Sequence, residues 1–308
     1  MSTVLTLVAS NISTPLTDKH VKDIINILGY YDVKPTCQPV WIKNRAVVEI
    51  GITGHGGQAM MNQLHEHLHA DAIDVFITPI ENRRKKLVLA DMDSTIVTGE
   101  TLDDLAAHAG IKDQIAEITE RAMNGELDFH AAIRERVSLL KGLGINALDK
   151  TRAELKINPQ AENFIMTMRK HNAFCVLVSG GFTFFTETVA EKLRFNAHHG
   201  NELEIDNDKL TGHVVPPILD KNAKVEFLKL YMNRYNLKTE DCLTIGDGAN
   251  DLPMLQMAGL GIGYKPKATV AEEIDNLIIH GDFTAALYAQ GFTPEEFFED
   301  KSKKPVFS

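Results

Sequence analysis

The sequence predicts an α/β layered protein built on a parallel sheet, with a helical insertion and a small α+β unit in front. Three observations carry this. After residue 86, short continuous apolar runs recur between helical patterns: "LVLA" (87–90), "FCVLV" (174–178), "CLTI" (242–245) and "GLGIGY" (259–264). Continuous rather than alternating apolarity marks strands covered on both faces, as in a parallel sheet. Residues 101 to about 145 break the alternation with one helical pattern after another. Residues 1–80 read as two matching halves in the order βαββαβ, a ferredoxin-like unit.

The bulk properties bound the function. A chain of 308 residues suffices for one large or two moderate domains. The apolar fraction of 44% and charged fraction of 24% are those of a soluble globular protein. A net charge of −10 argues against nucleic acid or an anionic membrane as the main partner. Cys37, Cys175 and Cys242 are far apart, odd in number and form no CxxC pair, so a reducing cytoplasm is expected rather than a disulfide framework. The start "MSTVLTLVASNIS" lacks a basic leader region, and no apolar run reaches spanning length.

In order along the chain, "TVLTLVAS" reads as a strand and "TDKHVKDIINILGYY" as a helix with Val21, Ile24, Ile25 and Leu28 on one stripe. "KPTCQPVWI" and "RAVVEIGIT" follow as strands around a turn at Lys43 and Asn44, then a helix in "GGQAMMNQLHEHLHA" and a strand in "AIDVFITPI". The glycines of "GITGHGG" fit neither the P-loop nor the dinucleotide pattern and read as a plain strand-to-helix loop. Of His65, His67 and His69, only the outer two share a helix face, so surface histidines are expected rather than a metal site. "ENRRKK" (81–86) is polar and charged and reads as a linker. Thr101 and Asp104 resemble a capping box, Gly110 and Gly125 sit where helices stop, and Asp128 can cap the next helix. "NELEIDNDKLTGHVV" (201–215) alternates around an Asn-Asp turn as a hairpin. A domain of residues 87–295 is expected, then a tail, 296–308, ending in the disordered-looking "KSKKPVFS".

Three of the expected parallel strands end in reactive groups. The first ends at Asp91 and Asp93, the second at Ser179, Gly180 and Gly181, and the third at Asp247, with Asn250 and Asp251 just beyond. The carboxyl ends of such strands form the ligand crevice of an open α/β sheet. Four acids meeting there repel one another unless a cation joins them, and an all-oxygen set with phosphate chemistry selects Mg²⁺. Ser179, close-approaching backbone at the glycines, and Lys224 early in "NAKVEFLKLYMNRY" suit a phosphoryl group. An Asp carboxylate can attack phosphorus, and Asp91, first beyond the strand, is the expected nucleophile. Asp93 is the expected proton donor to the leaving alkoxide and later the base for water, its pKa raised by its anionic neighbours.

In sequence order, "DMDSTIV", "VSGG", "NAK" and "GDGANDLPML" resemble the haloacid dehalogenase superfamily. "DSTIVTGETLDDLA", "AMNGELDFHAAIRERVSLLKGL" and "LVSGGFTFF" are similar to its phosphoserine phosphatase family. The resemblance covers residues from 86 to about 290 and implies a Rossmann-like core with a helical cap inserted at about 101–160. It implies hydrolysis of O-phosphoserine through phosphorylated Asp91, as the last step of serine biosynthesis. Mg²⁺ would be held by Asp91, the backbone carbonyl of Asp93, and Asp247, with Asp251 behind them or bound through water. Ser179, Gly180 and Lys224 would bind the phosphoryl group beside Asn250; "NAK" before a helix favours Lys224 over Lys221. Glu100 would meet the substrate ammonium and Arg136 its carboxylate, while Met123 and Phe129 would line the closing cap and exclude water. Spacing supports Arg136, which interrupts the apolar stripe of Phe129, Ile133 and Leu140, although a salt bridge to a neighbouring helix would look the same.

The βαββαβ order of residues 1–80 resembles an ACT domain, a module that often binds amino acids and pairs between chains. It implies serine feedback and a homodimer through that domain. Two other functions fit less well: transfer of the phosphoryl group to another alcohol, and an amino-acid sensor carrying an inactive hydrolase domain. The second would predict damage at Asp91, Asp93, Lys224 or Asp247, and all four are present.

Overall fold

The computed structural model describes residues 2–10, 14–123 and 126–299. The N-terminal unit runs β1 (Ser2–Ala9), α1 (Asp18–Tyr30), β2 (Val40–Lys43), β3 (Val47–Thr53), α2 (Gly57–His69) and β4 (Ile73–Pro79). Its antiparallel sheet has the order β2-β3-β1-β4, so the βαββαβ reading is matched. The expected strand 34–42 shortens to β2, because Pro35 and Pro39 bring no N–H to a ladder. The glycines of 51–57 form a loop into α2, with Gly54, Gly56 and Gly57 at positive φ.

Alternation along β1 decides how this unit sits. Leu5 and Leu7 join the core that also holds Ile24 and Leu28 of α1 and Met60 and Leu64 of α2. Val8, with Val47 and Phe76, instead belongs to the main core of the rest of the protein. The segment 81–86 is therefore no solvated tether. Arg83 pairs with Glu49 at 2.7 Å and donates to Thr6 Oγ1 and the Ala289 carbonyl, and buried Lys85 donates to the carbonyls of Asn82 and Glu240. The expectation of surface histidines also needs correcting at His65. Its Nε2 lies 2.8 Å from the Asp275 carbonyl, across the seam.

The second sheet begins with β5 (Leu87–Ala90). Four helices follow: α3 (Thr101–Ala109), α4 (Lys112–Met123), α5 (Phe129–Ser138) and α6 (Ile145–Glu154). Then come α7 (Ala161–Lys170), β6 (Phe174–Phe182), α8 (Thr183–Leu193), β7 (Ala197–Asp206), β8 (Lys209–Val215), α9 (Lys221–Tyr235) and β9 (Cys242–Gly246). The series closes with α10 (Leu252–Met257), β10 (Leu260–Tyr264), α11 (Ala268–Ala271), β11 (Asn276–Ile278) and α12 (Thr284–Ala289). The sheet order is β11-β10-β9-β5-β6-β7-β8, parallel except for the hairpin strand β8. The central strand explains the continuous apolar runs. Val88 and Ala90 join one core with Phe164 and Phe283, and Leu87 and Leu89 join another with Leu228 and Met254. Each buried side chain of this size contributes roughly 1.5–3 kcal/mol.

Gly110 ends α3 in the left-handed region and Asp128 caps α5, as read; Gly125 lies outside the described residues, as do residues 300–308 of the tail. Thr101 and Asp104 form no capping box. Thr101 is buried, and its N–H donates to the Asp93 carboxylate instead. β11, with only three residues, carries too short a signal to be read from sequence. Among the described residues no helix is long and apolar enough to cross a membrane.

The seam between the two units is polar at its centre. Asp74, buried on β4, accepts N–H bonds from Ile279, His280 and Gly281 at 2.8–3.0 Å. His65 and His280 lie beside it, facing Asp74, Asp275 and His69. Burial pushes both imidazoles below their ordinary value, against the pull of Asp74. A lowered folded pKa means that the unfolded chain binds more protons in acid. The stability from docking these rings neutral is complete above about pH 6.5 and is lost as the pH falls below it. Asp74, pushed up by burial, titrates in the opposite sense. Thermal unfolding at about pH 7.5 and about pH 5.5 should give a lower Tm in acid, with a smaller drop in His65→Asn. An undiminished drop in that variant would remove His65 from the linkage.

Candidate active site

The site is assembled at the carboxyl ends of β5, β6 and β9. Asp91 follows β5 directly, and its N–H donates to the Ile245 carbonyl at 3.0 Å, so the neighbouring strand fixes its start. The chain then turns sharply: Asp93 is extended and Ser94 is left-handed, with φ 55°. This turn aims Asp93 at two donors. Oδ1 accepts the Thr101 N–H at the start of α3, and Oδ2 accepts the Ser179 hydroxyl, each at 2.8 Å. Ser179 to Gly181 lie where the β6–β7 register is interrupted, a bulge that points Ser179 across to Asp93. Gly181 leaves room for that contact, since a Cβ would stand 3.0 Å from both Asp93 Oδ2 and Ser179 Oγ.

The third strand end folds back on itself. Asp251 Oδ2 accepts the N–H groups of Asp247 and Gly248, each at 3.1 Å. Only glycine fits at Gly246, where a Cβ would meet Asp251 Cγ at 2.4 Å. Lys224, from the first turn of α9, donates to Asp91 Oδ1 at 2.5 Å and to Asp251 Oδ1. All three side chains are almost sealed from solvent. Lys221 has its side chain outside the described residues, and Lys224 is the lysine engaged.

Burial sets the electrostatics. It pushes the Asp91 carboxyl well up, repulsion from Asp251 adds to this, and Lys224 opposes both. Asp93 is also pushed up by removal from water, against the pull of the Thr101 N–H and the Ser179 hydroxyl. Burial works against the Lys224 charge, yet Asp251 and Asp91 outweigh it and hold its pKa above the ordinary lysine value. Carboxylate oxygens of Asp91, Asp247 and Asp251 lie within 4.8 Å of one another, all three residues being buried. That all-oxygen set fits a hard divalent cation. Both Asp251 oxygens are already engaged, by Lys224 and by two N–H groups, which suits the expectation that it stands behind the other ligands.

A cavity of about 460 Å³ opens over this floor, lined by Asp91, Asp93, Ser179, Gly180, Asp247 and Asn250 below. The cap supplies Leu102, Thr119, Leu127, Ile133 and Arg136. Glu100 lies at the rim, its Oε1 accepting the Ser94 hydroxyl at 2.8 Å. Arg136 forms no ion pair among the described residues, and its Nε donates only to the Ala132 carbonyl of its own helix at 3.3 Å. Of the two readings of Arg136 left open by spacing, a salt bridge to a neighbouring helix is thus not observed. The side chains of Met123 and Phe129 lie outside the described residues.

The profile of the haloacid dehalogenase-like hydrolases matches residues 88–256. The chain belongs to that family. A phosphoserine phosphatase of Archaeoglobus fulgidus is 36% identical over 228 residues, covering 72% of this chain and 66% of that protein. This chain spans about half to two thirds of the length of the first curated relatives that it matches. Among solved structures, a HAD family hydrolase from Salmonella enterica serovar Typhi superposes with a TM-score of 0.81 at 27% identity, covering 94% of this chain and 98% of that one. A phospho-aspartyl intermediate analogue of a phosphoserine phosphatase gives 0.62 at 36% identity, covering 67% and 98%.

Within this hydrolase the fold brings Asp91, Asp93, Glu100, Arg136, Ser179, Gly180, Lys224, Asp247, Asn250 and Asp251 to one crevice. It adds three that sequence reasoning missed. Thr101 N–H binds Asp93, Ser94 holds Glu100, and Lys267 reaches Asp247 at 3.1 Å. A helix start after the loop that follows β5 could have pointed to Thr101; nothing near Lys267 signals its partner, one strand earlier in the chain. In the hydrolase stripped of divalent ions, Lys224→Ala leaves two buried carboxylates without their cation. Urea unfolding in chelator should show a loss of about 3–5 kcal/mol. A loss below about 1 kcal/mol would mean that the cluster is solvated rather than buried.

Proposed function

We propose that the chain is a phosphoserine phosphatase, hydrolysing O-phosphoserine to serine and phosphate with Mg²⁺, as the last step of serine biosynthesis. The observation that carries this is one cavity with two ends. Its floor holds a buried carboxylate beside a lysine, and its wall holds an arginine with no carboxylate partner among the described residues. A phosphomonoester carrying both a carboxylate and an ammonium fits between Arg136 and Glu100. The names of the relatives support that choice. Three free cysteines suit a cytoplasmic enzyme.

The residues divide the work. Ser179 and Lys224 hold phosphoryl oxygens, and Arg136 and Glu100 orient the amino-acid end. The Asp91 carboxylate attacks phosphorus as the ester P–O bond breaks. Asp93, whose pKa burial pushes up, is the acid that gives a proton to the departing serine oxygen. Once ionised, it takes a proton from the water that attacks the aspartyl-phosphate, releasing phosphate and restoring both acids. Mg²⁺ would be held by Asp91 and Asp247, and when bound it supplies positive charge to the phosphoryl oxygens.

Phosphate release from a panel of phosphorylated amino acids and sugars, with and without Mg²⁺, tests the reading. Phosphoserine should be preferred and chelator should abolish turnover. Asp91→Asn should lose about a thousandfold or more in kcat. Arg136→Ala should lose roughly 10- to 100-fold in kcat/KM for phosphoserine while sparing substrates without a carboxylate. Preference for sugar phosphates, or an active Asp91→Asn, would refute it.

A further inference from the structure

Asp247 is held in an unusual way for a buried carboxylate. Its side chain is nearly sealed, with 7% exposed, and among the described residues only one other side chain bonds to it, that of Lys267. Lys267 comes from the loop between β10 and α11, and it grips Asp247 twice. Its ammonium lies 3.1 Å from Oδ2, and its backbone N–H donates to the Asp247 carbonyl at 2.9 Å. The loop itself is pinned, since the Lys265 N–H donates to the Ile278 carbonyl at 2.7 Å. The Lys267 side chain is 62% exposed and lines the cavity, so it reaches Asp247 from the solvent side.

We propose that Lys267 is a positioning residue for the divalent cation: it ties down Oδ2 of Asp247 and leaves the other carboxylate oxygen to the metal. This rests on the reading above, in which Asp247 is a metal ligand. Two effects of an ammonium at this place compete. Its charge repels a cation, and its hydrogen bond fixes the ligand. Water around the half-exposed Lys267 screens the first. The second is local and unscreened, and partners that orient a metal ligand are typically worth 10- to 100-fold in affinity. Orientation therefore wins, and Lys267 strengthens metal binding although it carries the same sign of charge.

Calorimetric titration of the full chain with MgCl₂, without substrate, reads this directly. Lys267→Ala should raise the Mg²⁺ Kd by about tenfold or more. Lys267→Arg, which keeps a donor of the same charge, should stay within about threefold of the unaltered chain. In chelator Lys267→Ala should have a lower Tm, because Asp247 loses its partner, and the gap to the unaltered chain should widen when MgCl₂ is added; a merely structural role would leave the gap unchanged. Equal or tighter Mg²⁺ binding by Lys267→Ala overturns the proposal, as does a matching loss in Lys267→Arg. If the unaltered chain binds Mg²⁺ and Asp247→Asn does not, the metal assignment stands whatever Lys267 does. If the unaltered chain binds none, that assignment fails and this proposal with it.

Discussion

The ammonium of Lys224, set between Asp91 and Asp251, is the interaction on which the site depends. Asp91, Asp247 and Asp251 converge in a volume nearly closed to water. Without a resident cation the three carboxylates at the ends of β5 and β9 could not share one crest, because each buried carboxylate would raise the free energy of the others. With it, Asp91 and Asp251 sit together almost sealed from solvent. The surrounding backbone serves the same end. Gly246 lets Asp251 fold back onto two N–H groups, and Gly181 lets Ser179 and Asp93 touch.

Asp93 stands in a different field. It takes the N–H at the start of α3 and the Ser179 hydroxyl, so its position is set jointly by the cap and by β6. The cap thus does more than cover the cavity. Its first helix is tied to Asp93, the proposed proton donor, and its α5 carries the arginine proposed to read the substrate. The N-terminal unit is joined to this machinery by a path of side-chain and backbone hydrogen bonds. Asp74 grips 279–281, Ile278 accepts from Lys265, and Lys267 binds Asp247.

Much of this was legible in the sequence where the signal is local. "LVLA" declares a strand buried on both faces, and acids or hydroxyls right after such strands declare a crevice. Asp128 as a cap and Asn207-Asp208 as a hairpin turn depend only on their neighbours, and both are found. What escaped depends on distant register. "ENRRKK" is as polar as any linker, yet Arg83 meets Glu49 and Ala289, far away in the chain. Thr101 reads as a helix cap because its hydroxyl is of the right type, whereas the true cap is the carboxylate of Asp93. Lys267 looks like one surface lysine among many until β9 and β10 are paired.

The central claim is that Asp91 itself carries the phosphoryl group. Acid-quenching the enzyme during turnover of phosphoserine, reducing the acyl phosphate with borohydride and mapping the peptide by mass spectrometry tests it directly. Conversion of Asp91 alone to homoserine is the expected result. Modification at Asp93 or Asp247, or an unmodified Asp91 in an enzyme that is turning over, would contradict it.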